Sequence, residues 1–394
     1  MGAGARIDRG RITRGRLVKI TGVKTFLLKE WRTMLMVVVE TDEGITGLGE
    51  SGLTSREFAV QGMIRDLESL VIGQDPFRTE YLWQLLWRSG FHPSGQVLSS
   101  AIAAIDLALW DIKGKACGVP VFDLMGGRAR DKVLSYCHIH GATPEETLND
   151  ARTRVAEGWK VLRFEPSYKS DMVMRSGWAL AKAVEEFRLL REDVGPDIGL
   201  AFDAHTKLTP PEAAWFCREV EGCTPYFVED PLRSEYPDGY RNLRRQTSVP
   251  LAAGEQFANK WQFGPLLRDR LIDYARVDLC IAGGLTEAWK IAALSEAHGV
   301  DLAVHNPIGP VSTAACLHLN LACPNVLVQE LPKRPGECLP DLIETDQTWS
   351  DGWLSSLGKP GLGVEIDLGF LDRYPFEHEH LPILHREDGA ITNW

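Results

Sequence analysis

The 394-residue chain lacks an apolar segment that could cross a membrane. Its longest apolar run is MLMVVV at 34–39, whereas a bilayer requires about 20 such residues. A signal-peptide pattern is also missing, because residues 1–17 carry five arginines and no apolar stretch. These features predict a disordered lead-in over 1–17, no membrane partner and a cytoplasmic location.

Two further absences narrow the function. The eight cysteines include no CxxC pair, and without a secretion signal they are typical of free cytosolic thiols. No cluster of lysine and arginine lies inside the predicted folded region, and the net charge is −11. Because a nucleic-acid backbone requires a basic surface, the sequence argues against a nucleic-acid partner. An anionic small substrate stays compatible with this charge, since a local metal cation can hold it.

What is present, from about residue 132 onward, is a regular alternation of short apolar strands with helical segments. Each predicted strand is almost continuously apolar, as strands buried on both faces are. Eight strand–helix repeats predict a closed parallel barrel. The predicted strands lie at 133–140, 160–166, 198–205, 226–231, 250–255, 273–279, 300–306 and 325–330.

The region before the barrel predicts a second, smaller domain. Residues 18–53 read as strands joined by a DEG turn, and three helical patterns follow them. The helical patterns lie near 55–72, 78–88 and 97–116. The predicted fold is α/β, a modified (β/α) barrel of the TIM-like kind with an N-terminal α+β capping domain. The predicted limits are 18–125 for the capping domain, 126–330 for the barrel and 331–394 for a C-terminal segment that packs back on the capping domain.

Three carboxylates fall at the ends of successive predicted strands. Asp203, Glu229 and Glu255 follow one another at intervals of 26 residues, since 229 − 203 and 255 − 229 are both 26. The carboxyl ends of barrel strands open on one face, where the active sites of barrels lie. Carboxylates that close together repel one another unless a cation joins them. Oxygen ligands suit a hard ion, so the pattern predicts Mg²⁺ first and Mn²⁺ second.

Histidines end two of the same strands. His205 lies two residues after Asp203, and side chains two apart on a strand share a face. His305 follows the apolar VDLAV, and Asp278 ends the strand before it. Adjacent strands can place a carboxylate against an imidazole and raise its basicity. Glu330 ends the eighth strand, so acids and bases are expected on both sides of one metal.

Several motifs in a shared order run through nearly the whole chain. In combination they resemble the enolase superfamily and, within it, the mandelate racemase subgroup. The similarity is greatest to acid-sugar dehydratases of the galactonate dehydratase type. The motifs are IGQDPFR (72–78), SAIAAIDLALWDIKGK (100–115), FDAH (202–205), FVEDP (227–231), LAAGE (251–255), VHNPIGP (304–310) and VLVQE (326–330).

The resemblance implies an enzyme and its reaction. Asp203, Glu229 and Glu255 would bind Mg²⁺, and the substrate would be a five- or six-carbon sugar acid with D-galactonate as first choice. Loss of the 3-hydroxyl would yield the 2-keto-3-deoxy acid, which is the reaction of a hydro-lyase. Members of this superfamily tend to assemble into symmetric multimers, so a symmetric homo-oligomer is expected.

The resemblance also implies the roles of the acid–base residues. His305, paired with Asp278, would remove the proton next to the substrate carboxylate. His205 would protonate the departing hydroxyl, and Glu330 would hydrogen-bond the substrate carboxylate as charge builds up. A base of this kind with Mg²⁺ is general in the superfamily. The leaving group requires an acid because hydroxide leaves poorly.

Candidates for substrate contact come from the barrel mouth and from the capping loops. Arg163 points either at the site or into an ion pair at the barrel floor, and the sequence leaves both open. Lys207 is predicted to be a surface lysine, and the roles of Glu165 and His138 stay open. The candidates are Arg163, His140, Trp31, Arg32 and Thr54.

Two alternative functions use the same scaffold. Racemisation or epimerisation of a hydroxy acid could use the same two histidines. The relatives that racemise carry Lys-x-Lys on the second strand, however, where this chain has Arg163-Phe164-Glu165. The second alternative is a protein that senses a sugar acid with little turnover.

Two motifs point to other classes of protein. GLGESG at 47–52 fits GxGxxG, but the segment after the next helix is helical again, which disfavours a nucleotide-binding fold. His138 and His140 form the HxH that also begins barrel metal hydrolases. That class requires further histidines where this chain has Glu255 and Asp278.

Overall fold

The structure is a computed structural model that describes residues 18–92, 95–165 and 176–392. The predicted lead-in at 1–17 lies outside these ranges, as does Pro166 at the end of the second predicted barrel strand. No helix within the described ranges has the length and apolar character that a membrane span requires.

The chain begins with an antiparallel sheet of three strands whose central strand is buried on both faces. Every residue of the central strand from Thr33 to Val39 is buried, because helices cover one side and the barrel the other. This region has the strands followed by helices that its sequence predicts. The elements are β1 (Ile20–Lys29), β2 (Thr33–Thr41), β3 (Thr46–Ser51), α1 (Glu57–Val71), α2 (Thr79–Arg88), α3 (Gln96–Cys117) and α4 (Val121–Leu124).

Helix α3 is the central helix of this region, and 16 of its 22 residues are buried. Helix α3 crosses β3 so closely that the backbones of the two elements are in direct contact. A Cβ atom added at Gly47 would stand 1.9 Å from the carbonyl oxygen of Ala108, and one at Gly49 would stand 1.8 Å from that of Ala104. The glycines of the GLGESG motif therefore permit close helix–strand packing, which is a structural rather than a nucleotide-binding role.

The barrel itself is closed and parallel, as predicted. Strands β4 to β11 pair in chain order, and β11 pairs with β4 to complete the ring. Each strand lies within the segment that its apolar run predicts. The elements are β4 (Val133–Ile139), α5 (Pro144–Ala156), β5 (Val161–Phe164), α6 (Ser176–Val194), β6 (Gly199–Asp203), α7 (Pro210–Val220), β7 (Val228–Glu229), α8 (Pro237–Arg244), β8 (Leu251–Ala253), α9 (Lys260–Arg268), β9 (Tyr274–Ala275), α10 (Leu285–Ala297), β10 (Asp301–Val304), α11 (Pro310–Ala322) and β11 (Val326–Glu330).

The interior of the barrel is a packed layer rather than a channel. Seven buried side chains fill it. Tyr136 and Phe227 are the largest of them, and alanines such as Ala201 and Ala252 are the smallest. Side chains of different sizes can together fill the interior of a barrel of eight strands.

The C-terminal segment contacts both parts of the molecule. Strand β14 extends the barrel sheet by pairing antiparallel with β4, whereas the backbone N–H of Leu362 donates to Asp111 on α3. Lys29 of β1 pairs with Glu377 and Glu379. The exact domain limits stay predictions. The elements are β12 (Ile343–Thr345), β13 (Gln347–Ser350), β14 (Trp353–Ser356), β15 (Val364–Ile366), β16 (Leu384–His385) and β17 (Ile391–Thr392).

Candidate active site

The carboxyl ends of the barrel strands bring the predicted acids together. Asp203 ends β6 and Glu229 ends β7, and these two residues are direct partners in the ladder between the strands. Glu255 lies two residues beyond β8, and Glu330 ends β11. Because neighbouring strands pair in parallel and in register, residues that are 26 apart in the sequence lie side by side in the structure.

The backbone after β6 differs from the prediction. The sequence predicts Asp203 and His205 on one strand, but β6 ends at Asp203, and the φ angle of His205 is 47°. Thr206 and Asp230 also have positive φ, at 58° and 33°. Non-glycine residues rarely adopt this conformation, which tends to occur at functional sites. His205 still reaches the cluster, since its charge acts on Asp203 and Glu255.

A histidine–aspartate pair faces the cluster from the other side. Nδ1 of His305 lies 2.7 Å from an oxygen of Asp278, and the second Asp278 oxygen accepts the backbone N–H groups of Cys280 and Ile281. Nδ1 therefore carries a proton that it donates to Asp278, and Nε2 is the ring nitrogen that faces the site. Nε2 lies 3.5 Å from Glu255.

The charges around His305 favour its protonated form. Burial lowers the pKa of His305, but the carboxylates of Glu255 and Glu330 and the hydrogen bond to Asp278 outweigh this effect, so the net shift is upward. A pKa raised in this way makes His305 a stronger base than an ordinary imidazole.

Two arginines lie among the carboxylates. Nη2 of Arg163 stands 2.7 Å from Asp203 and 3.6 Å from Glu229. Arg163 thus points at the site and not at the barrel floor. Arg276, which is fully buried, stands 2.8 Å from Glu229 and 3.0 Å from Glu330. Each guanidinium is a counter-ion for the neighbouring carboxylates. Without a counter-ion, burial would favour the protonated, neutral form of these carboxylates.

Arg276 is a site residue that the sequence analysis missed. It precedes Asp278 by two residues in the segment DYARVDL, and residues two apart along an extended segment share a face. The two-residue spacing from Asp278 is therefore the sequence feature that could have predicted Arg276 as a site residue. Nη1 of Arg276 also donates to the hydroxyl of Tyr136, at 2.7 Å, so Arg276 links the packed layer to the mouth.

Glu330 is held as a carboxylate by its surroundings. It accepts hydrogen bonds from Nε2 of His138 at 2.7 Å, from Arg276 at 3.0 Å and from the backbone N–H of Asn306 at 3.0 Å. Burial raises the pKa of Glu330, but His305, Arg276 and His138 outweigh burial and hold it well below its usual range. An ionised Glu330 only accepts hydrogen bonds, so these surroundings do not support the predicted donation to a substrate carboxylate.

The same contact answers the open question about His138. Burial and the charge of Arg163 lower the pKa of His138 to about 4, so its ring is neutral and Nε2 donates to Glu330. His140 is exposed, and its ring lies 6.0 Å from that of His138. His140 therefore sits at the rim of the site.

Lys207 is buried, and its predicted surface position is wrong. It is 6% exposed and pairs with Glu165. Burial raises the pKa of Glu165, but Lys207, His205 and Arg163 outweigh it, and the net pKa is about 2. Glu165 and Lys207 thus form a partly buried ion pair on the His205 side of the site.

The capping loops contribute one residue whose charge acts on the cluster. Arg32, on the turn between β1 and β2, interacts with the charges of Glu330 and Glu255, and burial lowers its pKa. Its guanidinium lies 4.9 Å from the ring of Trp31. Thr54 is half-buried on the loop between β3 and α1. Of the three predicted capping residues, Arg32 is the one placed to meet an anion.

The donor set suits a hard cation, although a guanidinium lies within it. Asp203 Oδ2, Glu229 Oε1 and Glu255 Oε2 are buried oxygens that accept no hydrogen bond. Carboxylate oxygens of this kind are the ligands that Mg²⁺ and Mn²⁺ prefer. In the described part of the chain, however, no group of three or more His, Cys, Asp or Glu side chains has the arrangement of a formed metal site. The three residues thus fit the ion chemically, with Arg163 between them.

This geometry defines a class of protein, namely a barrel enzyme with acid–base groups and carboxylates at its mouth and a separate capping domain above. Two family models match the chain. One is described as the mandelate racemase / muconate lactonizing enzyme N-terminal domain and matches residues 25–126, and the other is described as enolase C-terminal domain-like and matches residues 146–369. The chain belongs to this family of the enolase superfamily, and it is a carbon–oxygen lyase.

Known relatives cover almost all of the chain. It is 38% identical over 387 residues to a D-galactonate dehydratase of Xanthomonas oryzae pv. oryzae (strain PXO99A), covering 96% of this chain and 100% of that protein. It is 34% identical over 405 residues to a D-mannonate dehydratase of Caulobacter vibrioides, covering 96% and 100%. An enolase from Pantoea ananatis, solved with bound D-gluconate and Mg, has a TM-score of 0.90 at 32% identity, covering 95% and 100%.

Proposed function

We propose that the protein dehydrates a five- or six-carbon sugar acid to the 2-keto-3-deoxy acid in a reaction that depends on Mg²⁺ or Mn²⁺. The observation that carries the proposal is the His305–Asp278 pair, which faces the carboxylate cluster with His205 on the far side. The named substrates of the relatives, D-galactonate and D-mannonate, support the substrate class. D-galactonate is the first substrate to test.

The cation would be held by Asp203, Glu229 and Glu255. Each has a buried oxygen that accepts no hydrogen bond, although Arg163 and Arg276 form ion pairs with two of these oxygens. This donor chemistry supports the assignment, as does the Mg bound in the solved relative. When bound, the ion would stabilise the negative charge that develops on the substrate carboxylate as the neighbouring proton is removed.

The two histidines divide the proton transfers. Because Nδ1 of His305 is tied to Asp278, Nε2 is the nitrogen that takes the proton from the carbon next to the carboxylate. The electron pair of that C–H bond forms the C2–C3 double bond as the C3–O bond breaks. His205 supplies the proton that turns the departing hydroxyl into water, and the resulting enol becomes the 2-keto acid.

Positive side chains would orient the anionic substrate. Arg163 at the barrel mouth and Arg32 on the cap turn both interact electrostatically with the carboxylate cluster. Planar guanidinium groups bind carboxylates through two parallel hydrogen bonds. Glu330 would act instead by holding Arg276 and His138 in place. The expected symmetric homo-oligomer stays a prediction.

An endpoint screen tests the proposal. Purified protein with Mg²⁺ is incubated with a panel of pentonic and hexonic acids, and 2-keto acid is detected with a carbonyl reagent. Product from one acid supports dehydration and identifies the substrate. If Mg²⁺ binds but no acid gives product, ²H₂O distinguishes the alternatives: label in recovered starting material indicates epimerisation, and tight binding of an acid without label or product indicates a sensor.

A further inference from the structure

The carboxylates assigned to the cation already have a counter-ion. Arg163 rises from β5, next to β6, and is 7% exposed. Its Nη2 atom lies 2.7 Å from Asp203 Oδ2, 3.6 Å from Glu229 Oε1 and 3.8 Å from Glu330 Oε1. The first two of these oxygens are ones that accept no hydrogen bond. One guanidinium nitrogen of Arg163 therefore lies between two of the three assigned ligands, 2.7 Å from Asp203, while Nη2 of Arg276 lies 2.8 Å from the same Glu229 oxygen.

Arg163 is held less firmly than the second arginine of the site. Arg276 is fully buried, and its Nη1 donates to Tyr136 and to the carbonyl of Ala303, at 2.7 and 3.4 Å. Arg163 is held by ion pairs to Asp203, Glu229 and Glu330, and the Nε atoms of both arginines are without a hydrogen-bond partner. Of the two arginines, Arg163 is the one that can leave the cluster.

We propose that Arg163 competes with the divalent cation for Asp203 and Glu229, so that cation binding displaces the Arg163 guanidinium from the carboxylate cluster. This inference rests on the proposed function, because it concerns the same ligands. Two positive groups within about 4 Å of each other in a buried site repel strongly. Arg163 also neutralises Asp203 and Glu229 in protein without the cation, and removal of one partner from a buried ion pair leaves the other charge uncompensated.

The competition predicts opposite effects of one substitution. Arg163→Met should bind Mg²⁺ at least tenfold more tightly than the natural protein, and its metal-free form should unfold at a lower temperature. Arg163→Lys keeps the charge on a shorter side chain, so its Mg²⁺ affinity should fall between the two. Arg188→Met is the matched control, since it removes an exposed arginine that pairs with Glu219 on the helical side of the barrel. Its affinity should stay within twofold of the natural protein.

The measurement is calorimetric titration of metal-stripped full-length protein with Mg²⁺, together with melting curves at several Mg²⁺ concentrations. Equal affinity in the natural protein and in Arg163→Met would overturn the proposal. Absence of Mg²⁺ binding in every variant would instead overturn the cation assignment itself, so the two failures are distinguishable. If Arg163→Met folds only with Mg²⁺, that dependence supports the counter-ion role, and Arg163→Lys then decides by its affinity.

Discussion

At the scale of single residues, the chemistry depends on which ring nitrogen carries a proton. Asp278 accepts from Nδ1 of His305, and Glu330 accepts from Nε2 of His138. The two imidazoles therefore have different functions, although both lie at strand ends beside carboxylates. His305 turns Nε2 to the site, whereas neutral His138 uses its proton to hold Glu330.

The two histidines assigned to proton transfer should have separable effects. His305→Asn should abolish both exchange of the α-proton with ²H₂O and formation of 2-keto acid, because Nε2 of His305 is the nitrogen assigned to remove that proton. His205→Asn should block 2-keto acid formation but leave slow exchange. Mass spectrometry of recovered substrate and product measures both. Exchange that survives in His305→Asn would contradict its assignment as the base, and normal dehydration by His205→Asn would contradict the acid role.

Glu50 should make stability depend on pH. This carboxyl is fully buried and accepts the backbone N–H groups of Val311 and Ser312, at 3.1 and 2.9 Å. Burial raises its pKa from 4.5 to about 8, against those two hydrogen bonds. A pKa that is higher in the folded state stabilises the fold at low pH, and this stabilisation is lost as pH rises from about 4.5 to about 8.

The variant Glu50→Gln tests this expectation. The shift corresponds to a loss on the order of 4 kcal/mol across that range in the natural protein. The amide does not titrate, so the corresponding loss should be absent in the variant, even if an offset that is independent of pH lowers its stability at all pH values. Urea unfolding at pH 5 and pH 8.5 measures the difference. The same pH dependence in both proteins would contradict the role of Glu50.

At the scale of elements, the loop between β9 and α10 determines where the base lies. This loop carries Asp278. Hydrogen bonds to helices α2 and α3 of the capping region hold it and the start of α10 in place. Thr286, in the first turn of α10 directly after this loop, donates through its N–H and hydroxyl groups to Asp106 on α3, at 2.9 and 2.6 Å. Trp83 on α2 donates to the carbonyl of Gly283 at 2.9 Å. The position of Asp278 therefore depends on helices that precede the barrel in the chain.

Asp106→Ala should affect turnover more than substrate binding. It leaves the Thr286 N–H without its acceptor, which costs about 1–3 kcal/mol, and it loosens the loop that orients His305. A displacement of about 1 Å at a reacting group can cost about 100-fold, so kcat should fall about 10- to 100-fold while KM changes less than about threefold. Steady-state kinetics and urea unfolding measure the two effects.

Asp111→Ala is the matched control for Asp106. Asp111 is equally buried on α3, but it accepts the backbone N–H groups of Leu48 and Leu362, away from the loop of Asp278. This variant should lose stability with little change in kcat. If Asp111→Ala and Asp106→Ala reduced kcat equally, loss of stability alone would account for both.

At the scale of the whole molecule, strand β3 of the capping region braces both loops that carry the base pair. Glu50 accepts from the first turn of α11, which follows His305. The N–H of Gly52 donates to the carbonyl of Cys280 at 3.1 Å, just beyond Asp278. The capping region thus aligns the catalytic loops in addition to covering the mouth.

Gly52→Ala should disturb this contact between the two regions. The added Cβ would stand 2.9 Å from Cys280 and 3.0 Å from Asp278. Crowding of this kind typically costs about 1–3 kcal/mol, and the displaced loop should lower kcat. Gly62→Ala is the control, since nothing lies within 4 Å of its added Cβ on α1. It should raise stability by up to about 1 kcal/mol. Unchanged kcat in Gly52→Ala would contradict the bracing role.

The sequence alone determined the barrel, its eight strands and the strand ends at which most of the site residues lie. Runs of apolar residues identify strands buried on both faces, and the parallel topology brings their carboxyl ends together. The first rule depends only on the local sequence, and the second depends on the topology of the barrel. Asp203, Glu229 and His305 could therefore be assigned to one cluster before any coordinates.

Only the tertiary structure decided which partner each side chain meets. Glu50 bonds Val311 and Asp106 bonds Thr286 across 261 and 180 residues of sequence, and no periodic pattern encodes such pairs. Arg163 could have turned to the floor or to the mouth, and Lys207 reads as a surface lysine until its burial is known. Burial and distance set the charge and orientation of these groups, and both are properties of the folded chain.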